Sequence, residues 1–198
     1  MATQLKVNPN DPRVKRTRLL LKHALGDLLV EKSFQDITIQ DIAERATLNR
    51  VTFYAHFDDK FELFSFWLRE GFVDRLQSAL PVTSPLTGEN LRSLCRVVLE
   101  TLRDSQNHCR PVHGKYGPLF ESAVQEALSA FIRDWLCHWS LDQPATGVSV
   151  ESLSAAMSWT IFGAGIEWSR HAEDRALDPF VDETVTVLLR GASQTFHR

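Results

Sequence analysis

Arg50, Val51, Thr52 and Ala55 fall within one short stretch that also holds Phe53 and runs on to Phe57. In a helix, Phe53 and Phe57 lie one turn apart on one side, and the other four residues point elsewhere. That outward set suits the major groove of DNA. A guanidinium can donate two hydrogen bonds to a guanine edge, a threonine can bond a base or touch a thymine methyl, and Val51 and Ala55 offer apolar contact. Such a helix must be short, rigidly mounted and flanked by phosphate contacts that fix its register. Lys60 falls in the first turn of the next helix, where the dipole disfavours a cation. It fits there if a phosphate is held by backbone amides and ammonium together; the other reading is a solvated lysine beside Asp58 and Asp59.

The second group of reactive side chains is His108, Cys109 and His113, with Cys137 and His138 further on. Adjacent His108 and Cys109 cannot readily share one ion, and the spacing matches no zinc pattern. Scattered surface histidines account for the group better than a catalytic one. The expectation is a protein that is not an enzyme and uses no cofactor, with metal or oxidant sensing near Cys109 left open.

Local signals place the short helix. Apolar spacing is helical almost throughout and no alternating strand pattern appears, so the fold class is all-α. A first helix spans Pro12 to Lys32, with Val14, Leu21, Leu25 and Leu28 in one stripe. Thr38 caps the next helix, Asp41 completes a capping box, and Ile37 and Ile42 staple its start. That helix runs to Ala46. Asn49 caps a further one, stapled by Leu48 and Phe53, from Arg50 to Phe57. Two short capped helices so closely spaced outline a helix-turn-helix.

Asp58 and Asp59 open a long helix to Leu80, striped by Phe61, Phe64, Leu68 and Phe72. Pro81 and Pro85 end it and mark a compositional boundary. Helices are expected over 88–106, 118–140, 149–173 and 179–196, opened by Thr87, Gly117-Pro118, Ser149 and Asp178-Pro179, with an irregular connection from Asn107 to Tyr116.

Composition fits this reading. The 198 residues are 43% hydrophobic with only 9 Gly and 8 Pro, which excludes a disordered or collagen-like chain. No apolar stretch is long enough for a membrane span, and the N-terminus lacks the apolar block of a signal peptide. Cys95, Cys109 and Cys137 form no CxxC pair, as befits free thiols in a reducing compartment. The expected location is cytoplasmic. Net charge is −3, yet residues 1–60 hold ten Lys/Arg against eight Asp/Glu, and residues 1–22 hold six against Asp11 alone. A basic end on an acidic body suits a chain that meets phosphate at one end, although a solvated helix start would look the same.

Thr38-Ile39-Gln40-Asp41-Ile42-Ala43-Glu44-Arg45-Ala46, then Leu48-Asn49-Arg50, then Thr52-Phe53-Tyr54-Ala55-His56-Phe57-Asp58-Asp59-Lys60 and Leu63, resemble the DNA-binding signature of the tetracycline-repressor (TetR) family. The resemblance covers residues 13–63. It implies a homodimer of nine or so helices per chain. Residues 1–60 would form an N-terminal three-helix helix-turn-helix DNA-binding domain, and residues 61–198 a C-terminal helical ligand-binding and dimerisation domain. By position, Arg50, Val51, Thr52 and Ala55 correspond to the face of the recognition helix. Tyr54, His56 and Lys60 correspond to phosphate-contacting or supporting positions, and Thr38 to the backbone-contacting start of the preceding helix. From the residues alone, Tyr54 and His56 could equally pack between helices.

Such proteins usually repress transcription from a palindromic operator in double-stranded DNA and release it when a small molecule binds. Two positions depart from the pattern. Thr47 stands where glycine is common, and a left-handed threonine there is strained by about 1 kcal/mol or more. Val51 stands where a small residue is usual, which alters the approach of helix to bases.

Beyond the resemblance, the helix from Ser149 to Glu173 is apolar most of the way round and must be buried on more than one face. Gly163-Ala164-Gly165 at its centre admits another backbone or a ligand. The last helix offers Val181, Val185, Leu188 and Ala192 in one stripe. A second copy supplying the same pair would complete a four-helix interface, a homodimer through the last two helices; burial within one chain is the alternative. Phe120, Phe131, Trp135, Trp159 and Phe162 are the expected lining of a cavity for a small hydrophobic effector, with ordinary core packing as the other reading. A helical protein-interaction module, or a DNA-binding protein that answers to no ligand, is the competing function.

Overall fold

The computed structural model describes residues 8, 10–108, 110–139, 148–172 and 174–190, with the side chains of 105–117 excepted. Among them are eight α-helices and no strand. They are α1 (Pro12–Glu31), α2 (Ile39–Arg45), α3 (Arg50–His56), α4 (Lys60–Ala79), α5 (Gly88–His108), α6 (Arg110–Trp139), α7 (Val150–Arg170) and α8 (Leu177–Arg190).

The caps expected at Thr87 and Ser149 are in place, and Asp11 adds a further one. Asp11 accepts from the Arg13 amide ahead of Pro12, Thr87 Oγ1 accepts from the Asn90 amide at 3.2 Å, and Ser149 Oγ accepts from the Ser152 amide at 3.1 Å. Each satisfies one of the donors that a helix start leaves without a partner.

Helix α1 packs on α2, α3 and α4, enclosing Leu21, Leu25, Leu28, Phe34, Ile37, Ile42, Phe53, Phe57 and Leu63. Phe34 stacks on Phe64 with ring centroids 4.4 Å apart and meets Phe61 edge-on at 5.6 Å. Helix α4 is shared. It lies against α1 on one side and against α5 and α6 on another, so the core of the head runs on into that of the body. In the body α7 packs across α5 and α6. Ion pairs Arg92–Asp182 and Arg96–Asp178 fasten α8 to α5.

Two expectations for the body need correction. The stretch from Asn107 to Tyr116 is not an irregular connection: α5 reaches His108 and α6 has begun by Arg110. Pro111 lies in the first turn of α6, where a proline loses no helical hydrogen bond. The helix then continues through Pro118, which was expected to open it, at the loss of one backbone bond. The last helix starts at Leu177 rather than at residue 179, because Leu177 and Phe180 both pack onto the core. Residues 191–198, Ala192 among them, lie outside the described residues.

Candidate nucleic-acid interface

The turn between α2 and α3 sets the pose of α3. At the end of α2 the Thr47 amide bonds to the Glu44 carbonyl at 3.0 Å and the Leu48 amide to the Ala43 carbonyl at 2.8 Å. This paired bonding is a Schellman ending, which needs a left-handed residue after the cap. Thr47 supplies it with φ 56°, the only positive φ outside glycine among the described residues. A turn that glycine makes freely is thus made here with strain. Thr47→Gly is therefore expected to raise head stability by about 1 kcal/mol, read as a higher urea midpoint at unchanged slope.

Helix α2 is held at its start by both halves of the capping box. The Asp41 amide donates to Thr38 Oγ1 at 3.1 Å, and the Thr38 amide to Asp41 Oδ2 at 2.8 Å. Lys32 adds an ammonium to the same carboxylate oxygen at 2.7 Å. The Lys32 hydrogen bond first, then the Thr38 amide, hold the Asp41 carboxyl at about 2 against an ordinary 3.8. The folded state thus binds this proton less readily than the unfolded one. The stabilisation is complete above 3.8 and lost as pH falls towards about 2. Melts of wild type and Asp41→Asn across that interval should converge at its acid end.

Helix α3 is capped by Asn49, whose Oδ1 accepts from the Thr52 amide at 2.7 Å and from the Thr52 hydroxyl at 3.0 Å. Phe53 is fully buried, which fixes the roll of the helix. Arg50, Val51, Tyr54 and Ala55 then face solvent, with Val51 79% exposed. Since the Thr52 proton is engaged by Asn49, that residue offers a base only its methyl and oxygen lone pairs. Thr38 is exposed at the start of α2. On α1, Arg13, Lys15 and Arg16 are exposed, giving the head a positive end. The arrangement presents a donor fork, apolar contacts and a phenol on one short rigid helix.

Three side chains near α3 make contacts that residue type and spacing do not show. The Lys60 ammonium does not stand open to a phosphate. It donates to the backbone carbonyls of Phe34 and Gln35, each at 3.0 Å, and of Ile37 at 2.6 Å. An ammonium has three protons, and these three bonds use them. A cation at the start of α4 is tolerated because carbonyls of the connection between α1 and α2 surround it. Burial lowers its pKa against the pull of Asp36 and Asp41.

His56 is half-buried, with Nδ1 enclosed and without a partner. Burial first, and then the Arg18 charge, lower its pKa, which favours the neutral ring. Arg18, which the sequence reading passed over, lays its guanidinium on the Phe57 and Phe66 rings, 4.5 and 4.7 Å from their centroids. Nothing local in the sequence signals these long-range contacts.

Of the five residues expected to line an effector cavity, Phe120, Phe131, Trp135 and Phe162 belong to the buried core, and the Trp159 ring meets that of Phe162 edge-on at 6.0 Å. Phe120 lines a cavity between α4, α5 and α6, to which Lys22 of α1 also contributes. Phe131 and Phe162 are core. Trp135 is fully buried, its indole donating to the Ser84 carbonyl at 2.7 Å. Trp159 lies 62% exposed on the outer face of α7, because the opposite face already packs on α5 and α6.

Among the described residues no three His, Cys, Asp or Glu side chains form a group that could hold a metal. The side chains of His108, Cys109 and His113 lie outside the described set. Cys95 is buried, which pushes its thiol up to about 12, and Cys137 is exposed. No described helix is long and apolar enough to cross a membrane.

A capped seven-residue helix, set by a tight turn on two supporting helices and joined through α4 to a larger helical body, is a helix-turn-helix arrangement. Residues 23–65 match the model of the bacterial regulatory proteins of the tetR family. Two curated relatives of Bacillus subtilis (strain 168) match part of the chain. The HTH-type transcriptional regulator YxbF is 36% identical over 76 residues, 38% of this chain and 20% of that protein. The HTH-type regulator YdeS is 31% identical over 83 residues, 42% of this chain and 39% of that protein. The matches thus span a fifth and about two fifths of the relatives' lengths.

Over the whole fold, the Thermus thermophilus TetR-family repressor FadR, solved with lauroyl-CoA, superposes with TM-score 0.60 at 21% identity, covering 88% of this chain and 94% of that one. The dihydroxyacetone kinase operon activator DhaS gives 0.54 at 17% identity, covering 90% and 97%. At these identities the likeness is one of fold.

Proposed function

We propose that the chain is a DNA-binding transcriptional regulator, a homodimer that represses from a palindromic operator and is released by a small effector held in the body. The exposed face of α3 carries this reading: Arg50, Val51 and Ala55 point outward from a helix fixed by the Asn49 cap and buried Phe53. Base edges fall to Arg50, Val51, Thr52 and Ala55. Thr38, Tyr54 and His56 support the backbone contacts, and Arg13, Lys15 and Arg16 supply charge for phosphate. Lys60 acts by holding the head together.

The outer face of α7, with Ala156, Trp159 and Gly163 exposed, and Val187 and Leu189 on α8, support pairing through the last two helices. Two α3 helices about 34 Å apart would then meet successive major grooves. The division at residue 60, a cytoplasmic location and an apolar effector belong to the same reading. A fold that holds lauroyl-CoA in the Thermus thermophilus protein supports the last of these.

The test is selection of bound fragments from random duplex DNA, followed by titration of the selected site. Arg50→Ala should lower affinity for that site about ten-fold and leave binding to random DNA unchanged. Wild-type affinity should fall steeply with salt as counterions are released. Equal loss on both DNAs would remove Arg50 from base reading, and binding partners that persist at high salt would favour a protein-interaction module.

A further inference from the structure

The cavity that Phe120 lines has a volume of about 470 Å³ and is walled by Trp67, Leu68, Phe72 and Phe120. Gly71 stands at its mouth, where an added Cβ would meet nothing within 4 Å. Leu68, Phe72 and Phe120 are buried, so the wall is apolar. Charge enters from two sides. Arg75, on the rim, is held by Asp104 at 3.6 Å and by the Thr101 hydroxyl at 3.4 Å. Lys22 reaches in from α1, and its ammonium meets Asp74 at 3.4 Å.

That second pair is unequal. The Lys22 side chain is only 14% exposed, whereas that of Asp74 is 68% exposed. Lys22 is therefore the enclosed partner, and Asp74 is a carboxylate at a long distance that is well solvated without it. Losing Lys22 costs Asp74 little, while an anion placed inside would find a cation already at the wall. A cation entering the same space would meet Lys22 head-on.

We propose that this cavity takes a small monoanionic amphiphile, its apolar part against Trp67, Leu68, Phe72 and Phe120 and its anionic group on Lys22 in place of Asp74. The proposal rests on the reading of the body as the effector-sensing part. It adds the class of effector and makes a residue of the head helix one of its contacts.

The probes are 8-anilinonaphthalene-1-sulfonate and N-phenyl-1-naphthylamine, which share their aromatic part and differ by the sulfonate. Fluorescence titration of the full chain should show the sulfonate dye binding more tightly than the neutral one. Lys22→Met should weaken the sulfonate dye about ten-fold and leave the neutral dye unchanged. Asp74→Asn, which removes the competitor for Lys22, should tighten the sulfonate dye. Gly71→Leu should exclude both dyes, and because it replaces a glycine inside a helix it should fold at least as well as wild type, checked by circular dichroism.

Equal affinity for the two dyes, or a Lys22→Met protein that binds the sulfonate dye as wild type does, would overturn the proposal. So would undiminished binding of both dyes to Gly71→Leu, which would place the site elsewhere. No DNA enters these measurements, so a failure of the dyes and a failure of operator binding are separate results.

Discussion

Lys60→Met is expected to destabilise the head by about 3 kcal/mol, measured by urea unfolding, and to weaken binding to every DNA sequence alike. The substitution keeps an apolar stem but takes three donors from the carbonyls of Phe34, Gln35 and Ile37. Hydrogen bonds from a charged donor contribute about 1.5–3 kcal/mol each in isolation, and part of that returns as water reaches the loop. The same variant would behave differently if Lys60 served phosphate alone. Stability would then stay put and only the salt slope of binding would drop, by about 1. Unfolding in the absence of DNA separates the two roles.

The paired glycines of α7 should part company in the same way. A Cβ on Gly165 would lie 2.5 Å from Leu102 Cδ1, with Leu99 and Val98 close behind, so any side chain there must displace the buried Leu102 methyl. Gly165→Ala should cost about 2 kcal/mol, because the crowded neighbours sit in a packed core and give way only by leaving their rotamers. A Cβ on Gly163 meets nothing within 4 Å. Gly163→Leu should therefore leave the monomer intact, even favoured by about 1 kcal/mol of helix propensity, while breaking a dimer built on the Trp159 face. Sedimentation of the two variants reads this directly. A dimer that survives Gly163→Leu would move the interface off this side of α7.

What could be read from the sequence divides along physical lines. The Thr38–Asp41 box, the Asn49 cap and the strain at Thr47 were visible because each involves residues within a few positions of one another, where residue type and spacing suffice. The outward set on α3 followed from the burial of Phe53. Lys60 was placed on the right helix but its carbonyl partners were not legible, since they lie more than 20 residues earlier and carbonyls leave no mark on residue type. The start of α6 was missed because Gly117-Pro118 outweighed Pro111 as a helix signal, although a long helix can absorb one missing amide. The burial of the body's aromatics was not legible for a third reason. Aromatic residues in helices such as Trp135 and Trp159 look alike in sequence, and only packing between distant elements decides that one is fully buried and the other 62% exposed.

The attachment of Lys60 also constrains how the head can answer the body. Its stem belongs to α4, and its ammonium grips the connection that leads from α1 into α2. A roll of α4 would pull that connection along, so α1, α2 and α3 would swing as a single block instead of shearing past one another. An effector working through α4 would then change where the reading helices stand and not which bases they prefer, so the ranking of operator sequences should be the same with and without it.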